Sequence, residues 1–114
     1  MKHISTPQGK HPIRYGWQAL SDFADNVDMT MDDIISSFDP SALKPSQLSE
    51  FIFQGMRDGC REAHTEFKLE DVSEISEIIN KIGLHQIVKE TLDAFQASPF
   101  LVKEDEPKEE SKKK

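Results

Sequence analysis

The spacing of apolar and polar residues changes period along this chain. Residues 2–6 and 11–15 read as short extended segments in which Ile4, Ile13 and Tyr15 share one face. Between them, Pro7-Gln8-Gly9-Lys10 is turn-type sequence, with Gly available for positive φ. The expectation is a β-hairpin, which is marginal alone in water and must pack on something. From Gly16 onward the period is helical. Trp17, Leu20, Ala24 and Val27 form one stripe, which Phe23 widens. Thr30 stands three residues before Asp33, a capping-box pattern ahead of Ile34, Ile35 and Phe38, and Asp39-Pro40 stops that short helix.

The longest helix begins at Pro45-Ser46, with either Ser46 as N-cap or Pro45 as first helical residue. Leu48, Phe51, Ile52, Met56, Cys60 and Ala63 recur at intervals of three and four. Gly55 and Gly59 lie on one side of it, each about 1 kcal/mol worse than Ala in a helix, where another backbone can come close. That approach is either packing inside the domain or a groove for a partner helix. Val72, Ile75, Ile79 and Ile82 make a fourth helix ended by Gly83, and Val88, Leu92 and Phe95 a fifth stopped by Pro99. The predicted fold is mainly α: an N-terminal β-hairpin (about 2–15) followed by about five short helices in one small domain, residues 1–102.

Composition sharpens this picture. The chain has 114 residues, a length suited to one domain, and a net charge of −7. An acidic balance argues against a nucleic-acid binder, and no window approaches the about 20 apolar residues of a membrane span. No signal peptide is evident, and Cys60 has no second cysteine to pair with. These features favour a soluble cytosolic protein. Residues 103–114, KEDEPKEESKKK, hold five Lys and five acidic groups and no apolar residue, so they read as a disordered charged tail.

The search for chemistry yields little. His3, His11, His64 and His85 form no H-E-x-x-H pattern, and one cysteine gives no zinc spacing. Asp22, Asp25 and Asp28 fail as a calcium loop, because the required Gly and Glu are missing at the sixth and twelfth positions. The five glycines are too scattered for a phosphate loop. No metal, no cofactor and no enzymatic activity are expected.

Binding is the better reading. Phe51, Ile52 and Phe53 are consecutive and span roughly 200° of a helix surface, wider than the stripe a surface helix usually buries. Either the long helix is covered on two sides, or an aromatic is left for a partner. Met29, Met31 and Met56 add adaptable apolar surface. The candidate partner-binding residues are Phe51, Phe53 and Met56, with Trp17 and Phe23 as neighbours.

The run Gly9-Lys10-His11-Pro12-Ile13-Arg14-Tyr15-Gly16-Trp17-Gln18-Ala19-Leu20 resembles the opening of the tail assembly chaperones of long-tailed bacteriophages, with their G-K-x-x-x-(R/K)-(F/Y)-G hairpin and first helix. The order of later elements is similar too: Met31 to Phe38, then Gln47-Leu48-Ser49-Glu50-Phe51-Ile52-Phe53-Gln54-Gly55-Met56-Arg57, then Lys68-Leu69-Glu70-Asp71-Val72. The likeness covers about residues 8–97, and Lys68 stands where the family more usually has a helix-capping Thr. It implies a non-catalytic chaperone that keeps the helical tape measure protein soluble and helps recruit tail tube protein. Such a chaperone acts in the host cytoplasm, is absent from the mature virion, and often also exists as a longer form made by ribosomal frameshifting. Lys112-Lys113-Lys114 suits an A-rich slippery run, which only the gene can reveal. A homo-oligomer is left open. The alternatives are an acidic inhibitor that mimics nucleic acid, or a structural adaptor or connector subunit of a particle.

Overall fold

The computed structural model describes residues 2–6, 9–37 (side chains to 34) and 42–99. The expectations for Pro7 and Gln8, for the Ile35 side chain, for Phe38 and Asp39-Pro40, and for the tail at 103–114 lie outside the described residues.

β1 (Lys2–Thr6) pairs antiparallel with β2 (Gly9–Ile13), Lys2 opposite Ile13 and Thr6 opposite Gly9. The second strand starts and stops two residues earlier than expected. Gly9 already belongs to the ladder, at φ 129°. Arg14 leaves the ladder because its N–H donates instead to the Gly55 carbonyl, at 3.0 Å. Ile4, Ile13 and Tyr15 do share a buried face.

Five α-helices follow among the described residues: α1 (Trp17–Val27), α2 (Met31–Ser37), α3 (Pro45–Ala63), α4 (Ile75–Ile82) and α5 (Leu84–Gln96). The fold is therefore mainly helical with an N-terminal hairpin, as the periodicity predicts. α2 starts with the expected capping box: Asp33 N–H donates to Thr30 Oγ1 at 3.1 Å, and Thr30 N–H to Asp33 Oδ2 at 3.3 Å. Pro45 is the first residue of α3, behind an extended Lys44. The expected fourth helix divides. Val72–Glu74 is a 3-10 turn, where Glu74 Oε2 accepts from the amides of Glu70 and Asp71, and α4 proper starts at Ile75. Gly83, at φ 96°, closes α4 by donating to the Ile79 carbonyl at 2.8 Å, and α5 starts on the next residue.

α3 is the axis of the molecule. β2 lies across Gly59, so close that a Cβ there would sit 2.5 Å from the Pro12 carbonyl carbon and 2.6 Å from the Ile13 nitrogen, and the Tyr15 ring occupies the space at Gly55. The two glycines thus serve packing inside the domain. α1 covers another side of α3, and α4 with the 3-10 turn a third. Tyr15 stacks on Phe51 with ring centroids 4.2 Å apart, Phe23 and Phe95 meet Phe51 edge-on, and the Tyr15 hydroxyl donates to the Phe51 carbonyl at 2.8 Å. Each such enclosed aromatic contributes about 1.5–3 kcal/mol through burial. Asp58 pins the start of α1 to α3: its buried carboxylate accepts from Gly16 N–H at 2.7 Å and from Arg14 and Arg61 at 3.3 and 2.8 Å.

Candidate functional site

Of the five side chains expected to meet a partner, three are enclosed. Phe23 and Phe51 are fully buried and Met56 is 2% exposed, so these three hold the domain's own core, and the expectation of partner contact there is corrected. The reason is the central position of α3: a helix covered on several sides hides more than one stripe. Phe53, the third of the consecutive apolar residues, is half-buried. Phe67, from the connection after α3, packs edge-on against it at 5.2 Å, and the Arg57 guanidinium lies 5.9 Å over its ring.

Trp17 is 59% exposed. The buried residues of α1 are Ala19, Leu20, Phe23 and Ala24, and Trp17 lies about 90° round the helix from the centre of that set. Its stripe is therefore displaced from the one that the spacing of Trp17, Leu20, Ala24 and Val27 suggests. Trp17 and Phe53 do not form one surface with the groove described next. Trp17 follows Gly16, which is bonded to Asp58, and Asp58 lies about 15 Å along α3 from Leu48.

An apolar groove of about 700 Å³ lies between the start of α3, α4 and α5. Leu43, Leu48, Ile79, Leu84 and Val88 supply its apolar wall, with Ser49, Ser76, Asn80 and His85 at its margins and no carboxylate in its lining among the described residues. Leu84 is 57% exposed and, with Trp17, is one of two large apolar side chains standing mostly in solvent among the described residues. The shape follows from local sequence. Gly83 lets α5 start immediately after α4, so Leu84 emerges at the junction, while Pro45 starts α3 directly opposite. The expected residues did not include these, because Leu43, Ile79 and Leu84 are far apart in sequence. The available signal was Leu84 itself, an apolar residue directly after a helix-ending glycine.

A second concavity, about 550 Å³, is acidic. Asp22, Asp25, Glu50, Glu70 and Asp71 line it around Arg57, with Phe53 and Val72. Its polar groups largely satisfy one another: Arg57 pairs with Asp22 at 2.9 Å and bonds the Gln54 amide oxygen, and Glu50 accepts from Asn26 and Gln54.

No group of three or more His, Cys, Asp or Glu side chains among the described residues is placed to hold a metal ion. None of the helices there is long and apolar enough to cross a membrane. In comparison with known proteins, no family model, no curated protein and no solved structure matches the chain.

Proposed function

We propose that this protein is a non-catalytic chaperone of phage tail assembly that holds apolar helical segments of the tape measure protein. The observation that carries the reading is the groove between α3, α4 and α5, whose apolar wall ends in the exposed Leu84. Such a cleft suits an amphipathic helix laid into it by its apolar face. The net charge of −7 supports the same role, because like charge keeps complexes of an aggregation-prone client apart. The hairpin-first order of elements agrees with the family that the sequence resembles. On this reading the protein works in the host cytoplasm, brings tail tube protein to the tape measure, and leaves before the virion is complete. A frameshifted longer form belongs to the same proposal.

The test is co-expression with the tape measure protein of the same genome. Soluble client rises with the wild-type chain and falls back with Leu84→Glu, whose exposed position leaves the fold intact. Equal solubilisation by both overturns the groove, and no solubilisation by either overturns the chaperone.

The acidic concavity favours the nucleic-acid mimic as a second reading. Its weakness is that Asp22 and Glu50 are already engaged by Arg57, Asn26 and Gln54, whereas a mimic needs carboxylates free to meet a basic cleft.

A further inference from the structure

We propose that residues 100–102 (Phe100, Leu101, Val102) dock onto their own domain, in a concavity between the hairpin, the end of α3 and the end of α5. This concavity, about 600 Å³, shares no lining residue with the apolar groove. Ile13 and Ala94, both nearly enclosed, form its apolar floor, and Ala97 and Pro99 line it from the end of α5. Lys2, Arg14 and Glu62 supply its charged rim.

Position selects the occupant. Pro99 already lines the concavity, so Phe100 is covalently attached to its wall. The route to that point is held. Ser98 is buried, its N–H donates to the Phe95 carbonyl at 3.0 Å, and its hydroxyl donates to the same oxygen. The ring of Pro99 fixes its own φ and disfavours the helical region for Ser98. Ala94 and Ala97, three apart at the end of α5, share a face, and their single methyl groups leave space that longer side chains would take.

The chemistry agrees. Outside the described residues, 100–102 is the one run of three consecutive apolar residues, and Glu104, Asp105 and Glu106 follow within four positions of it. On the rim, Arg14 is shared between Asp58 at 3.3 Å and Glu62 at 3.5 Å, whereas Lys2 has no carboxylate within ion-pair distance among the described residues. An apolar run with an acidic continuation thus meets an apolar floor with a free ammonium beside it. The same attachment disfavours other acceptors. Val88, the last residue of α5 in the apolar groove, lies about 12 Å along the axis from Gln96. A second copy must compete with a segment joined directly to the concavity, whose effective concentration is millimolar or higher. Docked in this way, the last apolar run of the chain belongs to the domain, and the charged residues after it leave beside the hairpin, away from the groove.

The experiment uses the isotopically labelled full chain. Nuclear Overhauser contacts are expected from the Leu101 methyl groups to those of Ile13, Ala94 and Ala97. Leu101→Asp is expected to remove them and to shift the amides of Ile13, Arg14 and Ala97, by the same amount at about 50 μM and 1 mM chain. A lysine-specific protease gives the second readout. The bond after Lys103 is expected to be cut roughly tenfold or more slowly in the wild type than in Ala97→Asp, whose exposed position puts a carboxylate in the concavity, while the bond after Lys108 is cut equally in both. Far-UV circular dichroism compares the folding of the variants, and the Leu101 contacts are read in the wild type, so they decide the matter without either variant. Contacts to Leu43, Ile79, Leu84 or Val88 instead, contacts that grow with chain concentration, or equal cutting after Lys103 in both chains would each overturn the inference. None of these results bears on client binding, which Leu84→Glu tests separately.

Discussion

Tyr15 shows how a single side chain joins three elements. Its ring fills the space opened by Gly55, its hydroxyl reaches the Phe51 carbonyl, and burial pushes its phenol well above the ordinary value of 10.0. Tyr15→Phe removes one buried hydrogen bond and should destabilise the fold by about 1 kcal/mol, read by urea unfolding at neutral pH. The raised pKa adds a pH dependence. The folded state holds the phenolic proton more tightly than the unfolded state, so this contribution is complete below pH 10 and is lost as pH rises above it. The wild type should therefore lose more stability than Tyr15→Phe between neutral pH and pH values above 10, and parallel losses would show that Tyr15 does not titrate this way. Gly59 is the second telling residue. Ala gains about 1 kcal/mol over Gly in a helix, but here the new methyl meets the backbone of Pro12 and Ile13, which cannot rotate aside as a side chain can. With overpacking costing about 1–3 kcal/mol, Gly59→Ala should be a net loss on the order of 1–2 kcal/mol, and a rise in Tm would refute the close approach of β2.

The helices end in ways that leave stability unclaimed. α1 stops at Asp28, in the left-handed region at φ 59° with its N–H on the Ala24 carbonyl, and α3 stops at His64 in the same conformation. A non-glycine residue is penalised there, and a carboxylate also opposes the negative end of the helix dipole, with no basic residue in the last turn of α1 to offset it. Asp28→Gly should stabilise by about 0.5–1 kcal/mol in thermal unfolding, the gain being reduced by the greater freedom of Gly in the unfolded chain. Elements of this kind are legible in sequence where local rules decide them. Ile4, Ile13 and Tyr15 alternate as a strand face must, Thr30 and Asp33 cap as their spacing implies, and Gly83 breaks a helix where it stands. Trp17 was misleading because the spacing of a stripe says which residues lie together, not which way the helix is turned. That rotation is set by α3 beneath α1, and it buries Ala19 in place of Trp17.

At the scale of the whole molecule, the consecutive Phe51, Ile52 and Phe53 do signal an unusual helix, but the surplus resolves inward. α3 is surrounded, and Phe67 comes over Phe53. The apolar groove arises instead where three elements meet, lined by Leu43, Leu48, Ile79, Leu84 and Val88, of which Leu84 stands mostly in solvent. No local pattern in the chain brings those positions together, because they come from three elements that meet only in the folded structure. Two surfaces of different physics now stand apart on one molecule: an apolar groove with no lining carboxylate among the described residues, and an acidic concavity with five carboxylates around Arg57. Their salt responses differ. Raising salt from about 0.15 to 1 M shortens the screening length from about 8 to 3 Å, which suppresses contacts between exposed charges and spares apolar burial. The most direct measurement is a chemical-shift titration of the labelled full chain with helical tape measure peptides at both salt concentrations. The account predicts shifts gathered at Leu43, Leu48, Ile79, Leu84 and Val88, with affinity nearly unchanged by salt. Shifts gathered at Asp22, Asp25, Glu50, Glu70 and Asp71, with affinity collapsing in high salt, would contradict it.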